Sequence, residues 1–426
     1  MKNVNSSRDR RIFYGWYVVA AGVVCLWVNA GIGFYSFPVF FVELSDTFGW
    51  GRGKTAAGIS IAMILGGLAS PLVGLLLPKY GSRSVIIGGA LVMSAALALF
   101  SLMQTLWQFY LICLLLAVGW TCTGTMPTSY SVSDWFEKKR GKATGVMMVG
   151  VGLGGLIFVP LTRLLIDLFQ WQRTFMIYAV STSVILIPVV AMFIKRRPAE
   201  LGILPDGEIP GGEQECASHE VSASTTGASG GWTFRNAIRT RTFWVISGVY
   251  ILVTFGQVGL LINQVAYFQD IGISAERAAL ALGACAFLGV AGKLFFGAMA
   301  DRYPVRYAMA LSFGLQALGT LLLLQTQALG SPFWFVIVWG FAMGGVIALE
   351  PLIVAECFGM KSFGVILGMV YVCTTIGASA GPPFAGFVFD LNRSYSAAFV
   401  VFAITYAFSA VLSFLAIPPQ LSQEAN

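Results

Sequence analysis

An all-α polytopic membrane protein, with twelve transmembrane helices arranged as two six-helix pseudo-repeats, is the fold class this sequence predicts. Three observations predict it. Of its 426 residues 57% are hydrophobic and only 11% charged, with a mean hydropathy of +0.79, far outside the range of water-soluble domains. Twelve apolar stretches are long enough to cross a hydrocarbon core, which takes about 20 helical residues. The second half of the chain also repeats the first at an offset of 223 residues.

The stretches run over roughly 16–41, 55–78, 85–103, 106–131, 143–166, 174–194, 242–268, 277–300, 306–328, 332–356, 363–389 and 395–417. The first follows a basic N-terminus without a small-residue cleavage site, so it is expected to stay as span 1. Connections are short except for 195–241, whose Gly, Ser and Glu content cannot bury a core and reads as a linker. The expected division is therefore a six-helix bundle at 1–194, a cytoplasmic linker at 195–241 and a second bundle at 242–426. Of the 26 Lys and Arg residues, 19 fall at the N-terminus, in the linker, and in the loops at 79–83, 134–142, 301–306 and 357–362. On the opposite side lie only Arg52, Lys54, Arg163, Arg173, Arg277 and Arg393. Positive residues near span ends are retained in the cytoplasm, which predicts both termini and the linker there. The net charge of +7 is then a consequence of topology and does not point to nucleic acid. Seven scattered cysteines without CxxC spacing read as apolar fillers.

The repeat places Gly66 on Gly289, Gly74 on Gly297, Lys79 on Arg302, Arg83 on Arg306, Lys138 on Lys361, Gly145 on Gly368, Gly154 on Gly377, Pro160 on Pro383 and Asp167 on Asp390. Parallel six-helix repeats put a substrate site near the bilayer midplane and rock one half against the other. Lys293 falls on Ser70, so its charge belongs to one half only. It stands alone among the apolar residues 278–300, where an ionisable group costs at least a few kcal/mol and marks a substrate path or a counter-charge. Lys293 is the candidate anion receptor. A carboxylate arriving beside a poorly solvated ammonium stabilises its charge, which links anion binding to proton uptake. The alternative is a helix-pairing charge neutralised by an acid, with Glu350 of span 10 the obvious partner. Glu350, next to the helix-kinking Pro351, is either a carrier of the transported proton or a structural acid meeting a loop base.

The chain resembles the major facilitator superfamily over essentially its whole length. The loop Gly297-Ala-Met-Ala-Asp301-Arg302-Tyr-Pro-Val-Arg306 is similar to that superfamily's gate motif; its partner around Gly74, Lys79 and Arg83 has Pro78 where the acid belongs. Within the superfamily, Phe13-Tyr14-Gly15-Trp16, Phe34-Tyr35-Ser36-Phe37-Pro38, the run from Trp135 to Gly141, and Lys293-Leu-Phe-Phe-Gly297 resemble monocarboxylate transporters and bacterial oxalate/formate exchangers. The resemblance implies a substrate-binding arginine where this chain has Lys293. A lysine is a flexible point charge without arginine's planar fork, so selectivity for carboxylate geometry is expected to loosen. The acid that animal members carry one turn earlier is Gly289, and the lysine after the span 1 proline is Val39. The second cation of the oxalate exchangers is absent from 365–388. One cation offsets one negative charge, so a monoanion such as lactate or pyruvate is favoured.

Asn29, Tyr35, Trp120, Asn263, Gln264, Tyr371 and Thr374 are the candidate polar walls of the substrate site, each alternatively serving as interhelical glue. The glycines of span 5 follow no strand and precede no GK[ST], which favours close packing over nucleotide binding. The lone His219 lies in the linker, and no nucleophile with a base or metal cluster occurs in the spans. No enzyme activity, metal or cofactor is expected. The expectation is a proton-coupled symporter of a small monocarboxylate, acting as a monomer in the lipid bilayer of a bacterial cytoplasmic membrane. Proton-independent organic-anion exchange and a non-transporting carboxylate sensor are the alternatives.

Overall fold

A computed structural model of the chain describes residues 13–136, 140–194, 232–326, 330–359 and 362–419. Lys138, Lys361, His219 and most of the linker lie outside the described residues. Helices cross the expected membrane twelve times within that set. Eleven stretches are long and apolar enough, and one of them, Ala143–Phe193, folds back on itself at Gln170, where φ is 68°. Spans 2 and 3 are likewise one helical run, Arg52–Phe100, reversed at Gly81 with φ of 77°. A left-handed residue at each point ends one helix and starts the next with almost no loop.

Span 1 is not a plain helix. Gly15–Ala30 gives way to a π-helical turn, Gly31–Tyr35, before Phe37–Phe48 resumes. Pro38 cannot donate to the carbonyl four residues back, and Ser36 closes the wide turn with its N–H (2.9 Å) and its hydroxyl (2.8 Å) on Gly31 O. Thr162 then donates to Ser36 Oγ (2.8 Å) and meets Tyr178 OH (2.7 Å), tying the irregular turn to spans 5 and 6. Span 4 breaks in a milder way at Gly124, between Leu106–Thr123 and Thr125–Trp135.

Spans 7 to 12 are Arg241–Asp270, Ala275–Ala300, Val305–Leu324, Phe333–Phe358, Phe363–Asn392 and Ser396–Ser413. Before them, Trp232 donates its N–H to Phe358 O, and Phe234–Ala237 forms a short helix, so the last residues of the linker are structured against the second half. The six described cysteines are free.

Two main seams join the halves, spans 2 with 11 and spans 5 with 8, with a smaller contact between Phe37–Phe48 of span 1 and span 7. Lipid provides no hydrophobic drive for helix pairing, so small residues that admit close approach decide where helices meet. A Cβ on Gly155 would overlap Ala286 of span 8, and one on Gly152 would overlap Val290. In the other seam a Cβ on Gly67 would lie 3.3 Å from Thr375 Cγ2, and one on Gly386 would fall 2.6 Å from Gly53 N.

Candidate functional site

Spans 5 and 8 run antiparallel, and span 8 faces the seam with Ala286, Val290, Lys293 and Gly297, the i, i+4, i+7, i+11 stripe of one helix face. Ala286 and Val290 touch glycines of span 5, whereas a Cβ on Gly297 would meet no atom within 4 Å. Gly145, two turns from Gly152 on span 5, faces open space as well. In the other seam Gly368 is equally open, and Gly74 meets only Met126 of its own half. Both seams are therefore closed towards the distal end of the bundle and separated towards the end that carries the linker. Lys293 sits on the stripe where closure gives way to opening.

Its backbone is held firmly there. A Cβ on Gly344 of span 10 would overlap Gly289 O and lie 2.6 Å from Lys293 N, and one on Gly292 would overlap Phe341 O. Two glycine contacts thus set the point from which the lysine side chain leaves span 8. Lys293 is half-buried and has no hydrogen bond or ion pair among the described residues.

Glu350 is not its partner. It lies six residues beyond Gly344, about 9 Å further towards the linker end at 1.5 Å per residue. Only 3% exposed, it accepts a hydrogen bond from Thr374 Oγ1 at 2.6 Å. Thr374 O in turn accepts from Thr254 Oγ1 at 2.9 Å, so spans 7, 10 and 11 converge on this carboxyl. Tyr250 OH of span 7 is buried without a hydrogen-bond partner among the described residues. No loop base pairs with Glu350 among the described residues, which differs from the structural role expected of an acid near a helix end.

The other polar candidates are scattered. Asn29 is 6% exposed and donates through Nδ2 to Trp120 O (2.8 Å) and Thr123 Oγ1 (2.7 Å), which joins span 1 to span 4. Asn263 donates to Gly259 O (2.9 Å) and Pro382 O (3.2 Å) and Gln264 to Leu261 O (3.4 Å); both are fully buried, with their amide oxygens unpartnered. Tyr35 lies against the seam, 3.2 Å from a Cβ placed on Gly155, and Trp120 stacks on Phe34 of the π turn at 5.7 Å. Tyr371 is exposed, and its neighbour Thr374 serves Glu350.

At the expected gate motif, Asp301 and Arg302 are exposed and unpaired among the described residues. Arg306 stacks over Tyr307 at 5.1 Å and Lys79 over Tyr80 at 5.2 Å, while Glu356 at the end of span 10 accepts the N–H of Val305 at 2.9 Å. Sequence reasoning did not single out the hydroxyl chain Ser36–Thr162–Tyr178, which carries no charge to mark it. It also missed the pairing of Arg52 across the halves, for which the two glycines flanking it were the only sign.

The family model described as Major Facilitator Superfamily matches residues 22–337 and 246–426. The chain is 26% identical over 392 residues to monocarboxylate transporter 13 of Bos taurus, covering 91% of this chain and 86% of that protein. It is 27% identical to monocarboxylate transporter 3 of Rattus norvegicus, covering 91% and 76%. Among solved structures, a bacterial homologue of the human lysosomal transporter Spinster, in an inward-facing and unoccupied conformation, aligns with a TM-score of 0.73 at 14% identity, covering 95% of this chain and 97% of that one. The relatives are transporters and not enzymes, and the chain belongs to the Major Facilitator Superfamily, as a transporter homologous to the monocarboxylate transporters.

Proposed function

We propose that this protein is a proton-coupled symporter of a small monocarboxylate, working by alternating access between the bundles 1–194 and 242–426. The single observation that carries the reading is Lys293, an ammonium unpaired among the described residues and held by the Gly344 contact on the seam-facing stripe where the halves part. An anion entering from the open end meets one cation among apolar neighbours, which suits one carboxylate of the lactate or pyruvate class. Relatives named as monocarboxylate transporters support that substrate class. The linker end is the cytoplasmic end on the distribution of Lys and Arg.

Coupling to a proton draws support from two groups. Lys293 holds its proton more firmly once a carboxylate is beside it. Glu350 is a buried carboxyl with a hydroxyl donor and no cation among the described residues, a setting in which a proton compensates the charge. Uptake of labelled lactate or pyruvate into proteoliposomes under an inward proton gradient tests the scheme. Lys293→Ala should abolish saturable uptake in a folded protein, and normal uptake by that variant would overturn it. Counterflow at fixed pH without gradient-driven uptake would identify an exchanger, and binding without accumulation a sensor.

A further inference from the structure

At the distal end, away from Lys293, one cluster ties the halves together. Span 2 starts at Arg52, and the first backbone N–H groups of any helix lack intrahelical acceptors. Here Arg52 N and Gly53 N donate to Asp390 Oδ1 (2.9 Å) and Oδ2 (3.0 Å), a carboxylate from span 11 of the other half. The Arg52 guanidinium forms a two-pronged pair with Asp270 at the end of span 7, one prong through Nη2 at 2.8 Å. It also donates to Tyr395 OH (3.2 Å) and lies 3.9 Å from the centroid of the Phe389 ring. Arg52 thereby engages three spans of the opposite half. The start of span 2 is packed closely on span 11 beneath it, since a Cβ on Gly53 would overlap the Phe387 ring, one on Gly51 would lie 2.8 Å from Asp390 Oδ2, and one on Gly386 would fall 2.6 Å from Gly53 N. The linker end has no counterpart among the described residues, because Asp301 and Arg302 are unpaired there and the seam glycines are open.

We propose that Arg52, Asp270 and Asp390 form the distal gate of the transport cycle, a latch that is engaged when the linker end is open and must release before substrate can enter or leave on the other side. Its parts match that task. Charge-assisted hydrogen bonds at a partly exposed surface are strong enough to hold two bodies and can exchange to water when they part. The latch also makes Arg52 a residue that sets the balance between the two states, although it lies far from Lys293. The inference rests on the alternating-access part of the proposed function and not on which substrate is carried.

The test measures the separation of the halves directly. Spin labels are placed at Leu102 of the first half and Ser331 of the second, both exposed at the distal end, on the full chain with its native cysteines replaced and reconstituted in liposomes without substrate. Pulsed electron resonance then gives the distance distribution for the parent protein, Arg52→Gln and Asp390→Asn. The latch predicts roughly a tenfold rise in the ratio of separated to closed distal ends in Arg52→Gln, and a smaller rise in the milder Asp390→Asn. Unchanged distributions in both variants would overturn it. Since no substrate is present, failure of monocarboxylate uptake leaves this result readable, and Lys293→Ala should leave the distal distances as they are in the parent.

Discussion

Asp167 and Asp390 hold the same place in the two repeats and do different work. Asp390 reaches across the seam between spans 2 and 11 and caps the first turn of span 2. Asp167, at the matching end of span 5, turns back onto Arg163 of its own helix, which also approaches Glu43 at 3.5 Å. Span 8 is capped by its own Ser274 instead. The repeat position of Arg163 is Gly386, the glycine on which the other seam closes, so Asp390 has no base one turn back on its own helix, and the repeat positions of Arg52 and Gly53 are Ala275 and Glu276. The inverse asymmetry holds at mid-membrane. Lys293 stands on the span 5–8 seam, whereas its repeat partner Ser70 donates to Gly66 O of its own span at 2.9 Å. One seam carries the lone mid-membrane charge and the other carries the cross-half cluster of Arg52 and Asp390. A duplicated fold supplies two equivalent joints, and polar residues then specialise them.

Several substitutions would break or sharpen this contrast. The largest effect is expected at Lys293→Ala, which should abolish saturable uptake, a fall in kcat/KM for a monocarboxylate of roughly 100-fold or more, the scale for removing one partner of a desolvated charge pair. Adding Ser70→Lys to that variant should not restore uptake, because the serine seam lacks the Gly344 contact that aims the lysine; recovery in the double variant would show the seams to be interchangeable. Next comes packing. Gly344→Val forces branched carbon into backbone and should destabilise the protein by about 2 kcal/mol or more, seen as a lowered melting temperature in detergent. Gly297→Val enters open space and should leave the melting temperature nearly unchanged while slowing uptake, as the linker end must close over that face.

Smaller differences separate the repeat-related acids. Asp390→Asn weakens two hydrogen bonds between the halves and should cost about 1–2 kcal/mol in denaturation measurements. Asp167→Asn removes an exposed pair within one helix and should cost no more than about 0.5 kcal/mol. Equal costs would contradict the assignment of the latch to one seam. Ser70→Ala, which loses only a bond to its own helix, should be the mildest, within about 0.5 kcal/mol.

Length and polarity patterns alone determined the twelve spans, the two-fold repeat and the choice of Lys293, because each is a local quantity. A span is a run of apolar residues, and a lone charge in such a run is conspicuous wherever the chain folds. The reversals at Gly81 and Gln170, the π turn ahead of Pro38, and the division of labour between seams were decided by tertiary structure. Glu350 shows the limit most clearly: its sequence context leaves both a loop contact and a proton site open, and the structure buries it against the Thr374 hydroxyl. Asn29 and Asn263 read as site walls by type and depth, yet their amide hydrogens go to carbonyls one helix away. Which neighbour satisfies a polar side chain within the bilayer depends on how helices are rotated against each other, a property no single span encodes.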